Sequence, residues 1–117
     1  MRHRKTTVKL NRSADHRKAL LRNLATSLAE HGELKTTTAK ARALVSFYER
    51  LIARAKRSDE MNAIRLIKRV LYTESAQKNF IQQLKDLQGR QSGYLRVSKV
   101  GFRPGDVAEL SQVQFVR

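Results

Sequence analysis

Cysteine is missing altogether, so neither a disulfide nor a thiolate metal site can form. That absence fits a reducing compartment. No apolar run reaches the roughly 18 residues that a membrane helix needs. The opening Met-Arg-His-Arg-Lys lacks the apolar stretch of a secretory signal, and a transit peptide would be longer and richer in serine. Chemical motifs are scarce as well. There is no Gly-x-Ser-x-Gly, His-Glu-x-x-His or phosphate loop. The three histidines, His3, His16 and His31, show no metal-ligand spacing with a carboxylate. Asp59 and Glu60 read as helix-start residues rather than an acid–base couple. The expectation is a chain that is not an enzyme, with no cofactor, no metal, no small-molecule substrate and no membrane partner.

Acids are few: ten Asp and Glu stand against twenty-five Lys and Arg, a formal net charge of +15 and a pI near 11.2. An excess this large repels itself unless a polyanion neutralises it. Soluble domains usually carry a net charge of only about 2–8, so this one reads as the electrostatic footprint of nucleic-acid binding. A membrane-surface role would need a basic face backed by a strong apolar one, and no segment combines them.

At 117 residues the chain suits one domain with a tail. Residues 1–12 hold Arg2, Arg4, Lys5, Lys9 and Arg12 and no acid. They form a basic N-terminal extension, flexible when free; residues 13–117 form a single globular domain. Ser13 caps a first helix with Leu20, Leu21, Leu24 and Leu28 inward and Gly32 at its end. Lys18, Arg22, Thr26 and Ala29 share its other face, two cations and small residues that would admit a phosphate backbone. Residues 33–37 read as a short strand. A second helix, capped by Thr37 or Thr38, buries Ala41, Leu44, Val45, Tyr48, Leu51, Ile52 and Ala55. Arg42, Ser46, Arg50, Arg54 and Arg57 lie opposite, facing either RNA or water. Ser58 caps a third helix, whose Arg65, Lys68, Arg69 and Tyr72 project outward together. Thr73 starts a fourth, with Ala76, Phe80, Ile81, Leu84 and Leu87 as its stripe. Residues 94–100 and 108–116 read as a β-hairpin across a turn-rich loop, in which Gly105-Asp106 makes the turn, Arg103 is placed to meet a phosphate, and Phe102 reads as a plug for the sheet's end rather than a ring stacked on a base. The fold class is α+β: four helices, a short strand after the first, and a C-terminal hairpin in a small mixed three-stranded sheet.

Several motifs resemble bacterial ribosomal large-subunit protein family seventeen. They are Met1-Arg2-His3-Arg4-Lys5, Lys9-Leu10-x-Arg12, the run from His16 to Leu24, Thr36-Thr37 with Ala39-Lys40-Ala41, and Gly93-Tyr94-x-Arg96 with Gly101-Phe102-Arg103-x-Gly105-Asp106. The likeness runs from Met1 to about Val116. The family usually has a more basic, glycine-containing run at Thr6-Thr7-Val8, a Gly at Ser92 and an Arg at Pro104. The resemblance implies a structural constituent of the large ribosomal subunit, cytoplasmic, binding large-subunit rRNA near the nascent-peptide exit tunnel and supporting assembly, with neighbouring ribosomal proteins alongside. The expected RNA contacts are Arg2, His3, Arg4, Lys5, Lys9, Arg12, His16, Arg17, Lys18 and Arg22, then Lys35, Lys40, Arg96, Lys99 and Arg103. Three rival readings stay open. One is a DNA-binding regulator, against which the 33–37 strand interrupts a tight helix–turn–helix. The others are a nuclease or RNA-modifying enzyme and an assembly factor that leaves the finished particle.

Overall fold

The Ser13 hydroxyl accepts from the His16 amide and starts α1, Ala14–His31; Gly32, with φ +79°, ends it by returning its N–H to the Leu28 carbonyl. The computed structural model describes residue 3 and residues 8–116. After α1 come β1 (Glu33–Thr37), α2 (Thr38–Arg57), α3 (Glu60–Val70), α4 (Glu74–Asp86), β2 (Leu95–Phe102) and β3 (Glu109–Phe115). Four helices, the strand after α1 and the closing hairpin all form as expected. Both strand pairings are antiparallel, in the order β1-β3-β2, so the sheet is not mixed.

Helix α2 is the central element. Ala41, Leu44, Tyr48, Leu51, Ile52 and Ala55 are buried, with Val45 packed against them. The Tyr48 ring meets Phe80 of α4 and Phe115 of β3 edge-on, at centroid distances of 5.3 and 5.6 Å. Its hydroxyl donates to Gln83 Oε1 at 2.9 Å, so a buried phenol keeps a partner. Thr37 sits at the N-cap without a side-chain bond. Thr38 instead bonds the hydroxyl of fully buried Ser111 at 2.8 Å, tying the start of α2 to β3.

Three local readings are corrected. Asp59, not Ser58, caps α3, because its carboxylate accepts from the Asn62 amide while Ser58 closes α2. Thr26 and Ala29 are buried rather than open to a phosphate. Small residues there let α4 approach α1: Gln83 and Asn79 reach the carbonyls of Ala29 and Glu30. Lys18 and Arg22 lie on the same face nearer the N-terminus, Lys18 exposed and Arg22 half-buried. Phe102 plugs nothing, being 67% exposed. It follows a bulge between Lys99 and Gly101 and pairs with Glu109. Helix α2 starts opposite Glu109 and Ser111 through Thr38, and no described element covers the sheet beyond them.

Candidate nucleic-acid interface

The outward face of α2 lines a groove. Arg42, Ser46 and Arg50 repeat at i, i+4 and i+8, with Ala43 and Ala53 beside them, and these small residues leave an open groove of about 740 Å³. The N-terminal half of α1 forms its second wall through Arg17 and Leu21, and residues 91–94 form the third. Three guanidinium groups therefore converge from two helices, with Arg50 steadied by a bond from Nε to the Ser46 carbonyl at 3.1 Å. The one acid among the lining residues, Glu49, accepts the Leu95 amide at 3.3 Å. The lining thus combines cations from both helices with the apolar side chains of Leu21, Ala43 and Ala53.

Beside it, Lys9 is exposed and Arg12 half-buried, its Nη1 donating to the Leu10 carbonyl at 2.7 Å. His3, His16 and Lys18 are exposed, and Lys40 is half-buried at the start of α2. Arg2, Arg4 and Lys5 lie outside the described residues. The remaining expected contacts sit elsewhere. Register places Arg96 beside Gln114 and Glu33 in one row, and Ser98, Gln112 and Lys35 in the next, so Arg96 and Lys35 share the outer face of the sheet. Lys99 pairs with Glu109 at 3.3 Å. Arg103 is held by both oxygens of Asp106, whose carboxyl is pushed down to about 2, chiefly by that guanidinium. The Asp106 carboxylate also accepts the Ala108 amide, and Gly105 has φ +102°, so Gly-Asp is a turn device as the sequence indicated.

A family model described as Ribosomal protein L17 matches residues 20–116. The chain belongs to the ribosomal protein L17 family. Relatives named large ribosomal subunit protein bL17 match along their length. Those of Thermotoga maritima, Gemmatimonas aurantiaca and Neorickettsia sennetsu are 42%, 44% and 39% identical. In each case 99% of this chain is covered, with 95%, 98% and 100% of the relative. The L17 family is a structural ribosomal component, so this member is not an enzyme.

Within this L17 chain the third wall of the groove is fixed from behind. Lys56 Nζ donates to the carbonyls of Leu87 and Arg90 and to the Tyr94 hydroxyl at 3.3 Å, and stands 5.0 Å from that ring's centroid. Tyr94 in turn donates to the Gln91 carbonyl at 2.9 Å. Charged hydrogen bonds of this kind each contribute about 1.5–3 kcal/mol. Lys56→Met should therefore lower stability by about 2 kcal/mol in urea denaturation and speed amide exchange across 88–93. Unchanged exchange would show that the lysine is not what holds the wall.

Proposed function

We propose that the chain is a structural constituent of the large ribosomal subunit that grips large-subunit rRNA through the α1–α2 groove. The convergence of Arg17, Arg42 and Arg50 on one groove, whose only lining acid among the described residues is already engaged by backbone, supports this reading most directly. Residues 1–12 are proposed as a basic extension that continues the grip, with Arg2, Arg4, Lys5, Lys9 and Arg12 replacing RNA counterions. His16, Lys18, Arg22 and Lys40, on the same two helices but not lining the groove, are proposed as further contacts. Phosphate contacts of this kind fix position without reading sequence; folded RNA shape and 2′-hydroxyls supply specificity. The sheet cations Lys35 and Arg96, with Lys99 and Arg103, form a secondary contact set. The family resemblance further implies a cytoplasmic ribosomal location near the nascent-peptide exit tunnel, a role in subunit assembly, and neighbouring ribosomal proteins alongside.

Salt titration tests the grip. With about eight phosphates neutralised, the log affinity for protein-free large-subunit rRNA should fall with log salt at a slope of several units. Removing residues 2–12 should flatten that slope, because five cations go with them. A slope near one for the full chain would contradict the proposal.

A further inference from the structure

We propose that Tyr72 is a stacking platform for an unpaired base of the same RNA, on a second cationic face carried by α3. This rests on the rRNA-binding reading above and adds to it a contact outside the groove.

A single exposed tyrosine is ordinary on a protein surface. The surroundings of this one are not. Tyr48 and Tyr94 are buried with their hydroxyls bonded, whereas Tyr72 is 52% exposed. Its backbone is nevertheless clamped in the short link between α3 and α4. Leu71 before it is buried in the core, and Thr73 after it caps α4 and donates to Glu30. The Tyr72 amide donates to Thr26 Oγ1 at 3.2 Å, and that hydroxyl donates to the Arg22 carbonyl at 2.8 Å. Tyr72 is thus one threonine away from the α1 backbone at Arg22. A ring on so fixed a base loses little freedom when a partner stacks on it.

On the α3 side the charge around it is positive, while the nearest acid, Glu30, is engaged by the hydroxyls of Thr73 and Ser75. Arg65, Lys68 and Arg69 are exposed on the outward face of α3, and no acid occurs between Glu60 and Glu74. None of these three cations has an ion pair among the described residues. All three belong to the helix that leads directly into Tyr72. An aromatic plane beside phosphate-binding cations is the chemistry that takes an unstacked nucleotide: the ring receives the base and the cations receive the flanking phosphates. A paired duplex hides its base faces and cannot use the ring.

The chain has no tryptophan, so Tyr72→Trp places a unique fluorophore at the site. Saturating protein-free large-subunit rRNA should quench its emission by about half or more, as base stacking does, while a fully paired RNA duplex leaves it nearly unchanged. Tyr72→Ala should weaken rRNA binding about tenfold and Tyr72→Phe less than about twofold, because the plane and not the hydroxyl does the stacking. Helical content checks that each variant folds. Tight rRNA binding with unchanged tryptophan emission overturns the stacking role and leaves the groove reading intact; so does equal quenching by the duplex. If the full chain does not bind rRNA at all, both readings fall.

Discussion

Reversing Arg42 and Arg50 to glutamate should lower affinity for large-subunit rRNA on the order of a hundredfold and reduce the salt slope by about two units. Both side chains are exposed on α2, so the fold should survive and helical content should be unchanged. The matched control is Lys78→Glu with Lys85→Glu on α4, which alters net charge equally. Lys78 already pairs with Glu74 at 3.3 Å. If charge acts through the groove, the control should cost only a few-fold, since a field spread over the surface is screened within about 10 Å. Equal losses from the two doubles would mean that RNA senses only the total surplus, and the groove would have no special part.

Truncating Tyr48 to alanine should cost about 4 kcal/mol, the cost of deleting a large buried aromatic. Domains of this kind have only about 5–15 kcal/mol in all. The ring is fully buried and joins α2, α4 and β3 at one point, so the loss should appear as a large fall in the thermal midpoint and partial unfolding under mild conditions. Tyr48→Phe keeps the ring but leaves Gln83 Oε1 without its donor, and should cost about 1–2 kcal/mol. Burial also pushes the phenol far above its ordinary value of 10.0. The folded state then holds the proton more tightly than the unfolded one. This contribution to stability is complete below pH 10.0 and shrinks as pH rises beyond it. Urea midpoints near neutrality and near about pH 11 should therefore separate further for the parent than for Tyr48→Phe. Identical alkaline losses would show that other groups govern the high-pH limb.

Much of the fold was legible because α2 and α4 carry their apolar residues at helical spacing, and because Ser13, Thr73 and Gly32 are strong punctuation. The errors have local causes. Ser58 and Asp59 are both good caps, and neighbouring geometry rather than residue type chose between them. Thr26 and Ala29 are small enough to serve either a phosphate or a helix, and only the placement of α4 decides. Phe102 reads as a plug for the sheet's end because an aromatic beside a strand usually finds apolar cover; the reach of the sheet past α2 is a tertiary fact. The groove shows the same limit. The periodicity of Arg42, Ser46 and Arg50 was visible, but not what stood across from it, because Arg17 comes from a different helix and the 91–94 wall is positioned by Lys56.

In the sheet, β3 lies between β1 and β2, and register joins Glu33 to Gln114 across most of the chain. During synthesis both flanking strands emerge before the one that pairs them. The helices can close on local contacts, but three-strand closure must wait for a distant segment and bear its loop entropy. Until then β1 offers two bare hydrogen-bonding edges to anything nearby. Its brevity and the exposed Lys35 at its centre limit that hazard in a crowded cell.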